Sequence, residues 1–264
     1  MTGRAGKKLT VVILTFRDYQ KCITTINSLG NNELQAHLLI VDCNEEVDQV
    51  MQQNILSLGG QRIDYLRFPR SSIGQAMNFA LKNTKTEFVW FLNSGDSVLK
   101  LGSLEDIILK EQPFKVLIGR TFRRFPNDRT EEWLPPKLQS RRYLYGFNSI
   151  CHQSCIFPTK LLLQSRGFQD SPHFDWLATM TAINTTGIIN IPSLEISYEV
   201  GGVSSLENLT DWARNRIEIR RLNRGLFGGN LIKDRFIYAA YLVYRLTANA
   251  LLKSREGKWW KVGN

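Results

Sequence analysis

Hydrophobic and polar positions in the first part of the chain fall into blocks of two kinds. Residues 8–16 (KLTVVILTF) form a short β-branched run that predicts a first strand. Residues 19–29 follow with apolar positions at Tyr19, Cys22, Ile23, Ile26 and Leu29, the spacing of a helix with one buried side. The pattern repeats: a strand at 37–41 (HLLIV), a helix at 45–58 closed by Gly59 and Gly60, and a strand at 63–68. A loop at 69–73 then leads to a helix at 74–82 with Ala76, Met77, Ala80 and Leu81 on its buried side. Residues 88–92 (FVWFL) are apolar throughout and read as a strand covered on both faces, which stops at Asn93, Ser94, Gly95, Asp96 and Ser97. Strand and helix in strict alternation predict a mainly parallel sheet with right-handed crossovers and helices on both faces, an α/β fold of Rossmann-like type.

Parallel strands end on the same edge, and ligands of open α/β sheets sit beyond that edge. The ends carry Thr15 and Arg17, then Asp42, then Arg70, then Asn93 to Asp96. These polar residues are therefore expected to converge on one crevice. A carboxylate at Asp96, beside a glycine that allows a sharp turn, suits a cation on a phosphorylated ligand; the plainer alternative is a polar turn.

Past residue 100 the pattern loosens. A short helix is expected at 103–110, a strand at 115–123, a long polar excursion or lid at 124–145, a strand at 152–157 and a helix at 158–165. Pro172 opens a further helix with Asp175 in its first turn, and 187–200 reads as a strand pair before a flexible loop at 201–204. The tail contains an Arg-rich amphipathic helix at 209–222 and an apolar stretch at 236–252. That stretch has Arg245 and Asn249 inside it and basic and Trp residues around it. It suits a helix lying at a membrane surface, or one packed on protein, better than a membrane span.

Charge sharpens that division. The 264 residues carry a formal charge of +10, yet residues 205–264 hold twelve Lys and Arg against five Asp and Glu, and the remainder is nearly balanced. The expected organisation is a body over 1–204 followed by a basic helical tail over 205–264. Basic tails favour anionic partners such as lipid surfaces. No helix-turn-helix, zinc or RNA-motif pattern supports nucleic acid as the partner. Cys22, Cys43, Cys151 and Cys155 lack metal-site spacing and read as reduced thiols of a cytoplasmic protein.

Several ordered segments over about 9–204 resemble the family 2 glycosyltransferases, which have the GT-A fold. LTVVILTFR is similar to the family's opening strand, with Leu14 and Arg17 replacing its Pro and Asn. LLIVDCNE resembles the strand whose carboxylate, here Asp42, reads the donor's base; a turn-capping role is the alternative. SIGQAMNFALKNTKTEFVWFLNSGD resembles the stretch leading into the D-x-D-D motif, of which Asn93-Ser94-Gly95-Asp96 keeps only the last carboxylate. HQSCIFPTKLLLQSRGFQDSPHFDW resembles the acceptor segment of bacterial polysaccharide transferases, with His173-Phe174-Asp175 where the family commonly has a Glu-Asp pair.

The resemblance implies an inverting, metal-dependent transfer of a sugar from a nucleotide-diphosphate donor to an acceptor hydroxyl, in surface polysaccharide or lipid-linked oligosaccharide synthesis. It also implies a GT-A catalytic domain over 1–204, with a nucleotide-sugar half over about 8–120 and an acceptor half over 121–204. Asp175 is then the catalytic base and Asp96 the ligand of Mg²⁺ or Mn²⁺. Thr15, Arg17, Asp42, Arg70, Asn78, Asn93, His152, Gln153 and His173 are candidates for substrate contact. Asn78 has a structural alternative, as a bond to loop backbone below the site, and His173 one as an ordinary surface histidine. The expected setting is the cytosolic face of a membrane, reached through the tail. The lost carboxylates at Asn93 and Gly95 leave a second reading, a catalytically silent nucleotide-sugar-binding scaffold.

Overall fold

A computed structural model describes residues 8–31, 34, 36–59, 62–110, 114–125, 129–133, 150–165, 167–168, 174–199 and 239. The chain divides into two compact units, Met1–Leu134 with Ile150–Val200, and Pro135–Ser149 with Gly201–Asn264. Apart from residue 239, everything described below belongs to the first. The helices expected at 209–222 and 236–252, the loop at 201–204, and His173 lie outside the described residues.

The alternation read from the sequence is present: β1 (Leu9–Thr15), α1 (Tyr19–Asn31), β2 (His37–Asp42), α2 (Gln49–Gly59), β3 (Ile63–Arg67), α3 (Ile73–Asn83) and β4 (Phe88–Asn93). β5 (Ser97–Lys100), α4 (Leu104–Lys110), β6 (Val116–Arg124), β7 (Thr130–Trp133), β8 (Cys155–Pro158), α5 (Thr159–Gln164), α6 (Phe174–Thr186) and β9 (Ile188–Glu199) complete the unit. One mixed sheet runs in the order β3-β2-β1-β4-β8-β6-β9-β5, with β7 paired to β6. β3, β2, β1 and β4 are parallel, and β8 runs against β4.

Every residue of β1 is buried, which explains its uniformly apolar sequence. Val11 and Ile13 of β1, Ile40 of β2 and Phe88, Trp90 and Leu92 of β4 form one face of the core with Cys22, Ile26 and Leu29 of α1 and Ile55 of α2. The opposite face receives α5's neighbour Phe168, whose ring meets Phe91 edge-on with centroids 5.0 Å apart. Helix entries are set by short polar side chains. Asp18 Oδ1 accepts from Lys21 N at 2.9 Å, and Ser72 with Gln75 makes a capping box on α3.

The structure departs from the expected elements at five places. α2 begins at Gln49 rather than 45 because Asp48 Oδ1 accepts from Met51 N at 3.0 Å and fixes the first turn there. The expected excursion 124–145 begins as a hairpin, since β7 pairs antiparallel with β6 from Thr121↔Trp133 to Arg124↔Thr130. Residues 187–200 hold one long strand rather than two, with its pairing to β6 interrupted between Ile118 and Arg120 near Pro192. The strand expected from 152 starts with a 3₁₀ turn over His152–Ser154, and β8 follows. β5 was not expected at all.

Candidate active site

The parallel strands bring Thr15, Asp42, Arg67 and Asn93 to one edge, as the alternation predicts. Beyond β4 the chain turns through Ser94 and Gly95. Gly95 has φ 100°, a conformation that favours glycine. Its amide donates to Lys21 O at 3.2 Å and Thr25 Oγ1 at 3.0 Å, and Ser94 Oγ donates to Leu14 O at 2.8 Å. Thr25 is fully buried on α1, and its hydroxyl also lies 2.8 Å from Asp96 O. This threonine holds the turn from behind. Nothing in the linear pattern marks it, because it sits between the apolar positions of an ordinary helix.

Asp96 is 5% exposed, and its Oδ2 accepts from Asn93 N at 2.7 Å. Burial pushes its carboxyl up to about 7, against the opposing pull of the Asn93 amide, His152 and Arg124. Arg124 also donates to Gly95 O at 3.4 Å. Among the described residues no three His, Cys, Asp or Glu side chains gather into a metal site. One carboxylate still fits a divalent ion carried by a nucleotide, because such ions keep waters and take phosphate oxygens alongside one or two carboxylates.

Residues 150–155 come to the same place by register. Trp90↔Ile156 in the antiparallel β4–β8 pair sends the chain before β8 past the carboxyl end of β4, and Trp90 Nε1 donates to Gln153 O at 2.6 Å. His152 Nδ1 lies 3.1 Å from Asp175 Oδ2, with the two side chains 11% and 33% exposed. Gln153 turns its side chain inward, accepting from Cys151 Sγ. Burial raises the Cys151 thiol well above its ordinary value, as it does for Cys155, so these thiols are inert packing groups. All four cysteines are free and buried.

Asp42 occupies a different niche. It is fully buried, and its Oδ2 accepts from Tyr65 OH at 2.6 Å and Tyr19 OH at 3.0 Å, while Oδ1 accepts from Asn44 N at 2.9 Å and Asn44 Nδ2 at 2.7 Å. Burial and the bond to Asp42 push the Tyr65 phenol far up. Four bonds match the lone-pair sites of a carboxylate, which suits a residue that orients others. Asn44 Oδ1 in turn accepts from Arg17 N at 2.6 Å. Arg17 and Arg70 are the non-glycine residues of positive φ among those described, at 63° and 55°. Such backbone is uncommon outside glycine and tends to gather at functional sites. Arg17 is exposed with its guanidinium 4.7 Å from the Phe16 ring centre, and Arg70 reaches Glu45 at 3.5 Å on the surface.

Thr15 is buried, its hydroxyl 3.4 Å from Asp18 O and its carbonyl accepting from Cys43 N. Asn78 donates through Nδ2 to Phe168 O at 2.6 Å and accepts through Oδ1 from Phe168 N at 2.9 Å. That pair follows the structural alternative raised for Asn78. The geometry therefore gathers Asn93, Asp96, Arg124, His152 and Asp175 at one end of β4, with Arg17 and Asp42 along the neighbouring strand ends. Nothing in the linear pattern marks Arg124, at the boundary of β6 and the next turn, or the roles of Tyr19 and Tyr65.

A family model described as glycosyl transferase family 2 matches residues 10–166. No curated protein matches the chain. Among solved structures, S. aureus TarS 1-349 in complex with UDP is 19% identical with a TM-score of 0.61, covering 89% of this chain and 70% of that one. The complex of the same fragment with UDP-GlcNAc is 21% identical with a TM-score of 0.61, over 82% and 65%. The mannosyltransferase PcManGT from Pyrobaculum calidifontis, in complex with GDP-Man and Mn²⁺, is 12% identical with a TM-score of 0.59, over 89% and 69%. The chain spans about two thirds of these structures and 43% of the longer TarS structure. At such identities the likeness is one of fold.

Proposed function

The chain belongs to glycosyl transferase family 2 and is a glycosyltransferase, and from that premise we propose that it transfers a sugar from a nucleotide-diphosphate donor to an acceptor hydroxyl with inversion. The observation that carries the reading is that His152 contacts Asp175 at 3.1 Å and also acts electrostatically on the buried Asp96. An inverting displacement needs one group at the leaving diphosphate and another at the attacking hydroxyl. Asp175 takes the acceptor proton as the oxygen attacks the anomeric carbon and the bond to the diphosphate breaks. Asp96 holds Mg²⁺ or Mn²⁺, and such an ion would offset charge on the departing diphosphate. Arg124 adds a fixed positive charge at that end.

Arg17 and Arg70, aimed by left-handed backbone, support the nucleotide, and Asp42 serves it by fixing Asn44 and with it Arg17. Thr15 and Asn93 frame the crevice through backbone, and Gln153 and His173 belong to the acceptor side. Nucleotide sugars in the complexes of TarS and PcManGT, one of them with Mn²⁺, support this choice of donor and ion.

The acceptor we assign is a growing surface polysaccharide or lipid-linked oligosaccharide at the cytosolic face of a membrane, approached through the basic, Trp-rich tail. No described helix is long and apolar enough to cross a membrane. Removing residues 231–264 should shift the protein from membrane to soluble fractions, and unchanged fractionation contradicts the tail's role.

The donor is identified by a thermal-shift screen of UDP-, GDP- and dTDP-sugars with Mn²⁺, because a ligand of the native state raises the melting temperature by mass action. A shift with one nucleotide class, reduced by EDTA, is expected. Binding without turnover would favour the silent scaffold, a reading to which the missing carboxylates at Asn93 and Gly95 lend weight.

A further inference from the structure

His152 carries a polar atom that the reaction above leaves without work. Its Nε2 is buried and has no hydrogen-bond partner. Leaving a buried polar group unsatisfied destabilises the folded state, so a fold that keeps one usually has a use for it. The other ring nitrogen has a partner. Nδ1 faces the Asp175 carboxylate at 3.1 Å, so that edge of the ring is already engaged. Nε2 is the ring nitrogen left for a ligand, and imidazole nitrogen is a common metal-binding group.

The position suits that role. The β4–β8 register carries residue 152 past the end of β4, where the Asn93–Asp96 turn begins. Trp90 pins the adjacent peptide there by its bond to Gln153 O. His152 also acts electrostatically on Asp96. A carboxylate behind an imidazole whose far nitrogen faces a cation is the usual arrangement for a metal-bound histidine, fixing its tautomer and raising its basicity.

The geometry points to His152 Nε2 as a second protein ligand, beside Asp96, for the divalent ion bound with the nucleotide, with Asp175 as the positioning residue behind the imidazole. This inference rests on the donor reading above. It also explains how a D-x-D-D motif reduced to one carboxylate retains a cation site: the missing ligand comes from the segment before β8. A carboxylate has lone-pair sites for both partners, so Asp175 serves the imidazole and the acceptor hydroxyl together. The base and the cation are thereby coupled through one ring.

The test is electron spin-echo spectroscopy of Mn²⁺ bound to the full chain with saturating UDP, GDP and dTDP in turn. Nitrogen modulation from a coordinated imidazole is expected in the wild type and absent in His152→Gln. Mn²⁺ affinity in the nucleotide complex should fall at least tenfold in His152→Gln and by a smaller factor in Asp175→Asn, while nucleotide affinity in EDTA is unchanged in both. Mn²⁺ bound with nucleotide but without nitrogen modulation in the wild type overturns this inference and leaves the donor reading standing. Failure of all three nucleotides to bind overturns the donor reading instead, and this inference with it. The wild-type spectrum decides the matter even if His152→Gln does not fold.

Discussion

The imidazole of His152 and the carboxylate of Asp175 meet at 3.1 Å, although one precedes β8 and the other opens α6. Their contact joins the first turn of α6 to the segment that leads into β8. Asp175→Asn keeps the size of the side chain and an oxygen for His152 while removing the basic carboxylate. Turnover should fall about 10²–10⁴-fold, with donor affinity nearly unchanged, as expected for loss of a general base. Steady-state kinetics with a calorimetric donor titration check this, and near wild-type turnover refutes the assignment.

Asp96 makes stability depend on pH in a particular direction. Its carboxyl is near 7 in the native state and near its ordinary 3.8 when unfolded, so between these values the folded chain holds the extra proton. Its contribution is full below about 3.8 and is lost as pH rises to about 7, with little change above. Asp96→Asn should remove that slope, and without metal should match or exceed the wild type in stability at pH 8. Mn²⁺ affinity of the wild-type nucleotide complex should rise with pH up to about 7, since the ion requires the carboxylate. Urea melts across pH, and Mn²⁺ titrations at the same pH values, measure both.

Thr25 is tested by removing its hydroxyl at constant shape. Thr25→Val strips the buried partner of the Gly95 amide and the donor to Asp96 O, and should cost about 2–3 kcal/mol. Thr25→Ser should recover most of that loss. Denaturant melts with no difference between Val and Thr would mean the turn is held by other bonds.

Asn78 separates structure from substrate contact. Asn78→Ala removes two bonds to the Phe168 backbone and should lower stability by about 1–3 kcal/mol, leaving donor affinity within about twofold at a temperature where the variant is folded. A selective loss of donor affinity at full stability would restore it to the binding site.

Arg17 should show the opposite separation. Its left-handed backbone at φ 63° is costly for a side chain other than glycine, so Arg17→Gly should leave stability unchanged or raise it by up to about 1 kcal/mol. Donor affinity should drop, because the guanidinium is gone. Parallel melts and nucleotide titrations check the pair of outcomes.

The first four strands and three helices were legible because each obeys a simple period: β1 and β4 are covered on both faces, and α1 and α3 on one. Asp96 and Asp175 were legible as carboxylates at element ends, and the family resemblance gave them roles. What the linear pattern withheld is long-range. β5 and β7 are four-residue strands whose pairing, with β9 and β6, supplies their reason to exist. The breadth of Asp42's commitments depends on Tyr19 and Tyr65, each 23 positions away in sequence. Thr25 and Arg124 acquire meaning from what folds against them, and no local period marks either. The tyrosines of such a niche look like ordinary amphipathic positions until the chain closes.

The central claim is that this edge of the sheet binds a nucleotide sugar and breaks its bond to the diphosphate. The direct measurement is release of free nucleotide from the donor selected by the thermal-shift screen, with Mn²⁺ or Mg²⁺ and again with EDTA. Wild-type protein should release nucleotide with the cation and lose that activity in EDTA and in Asp175→Asn. Tight donor binding with no nucleotide release under any of these conditions would contradict the account.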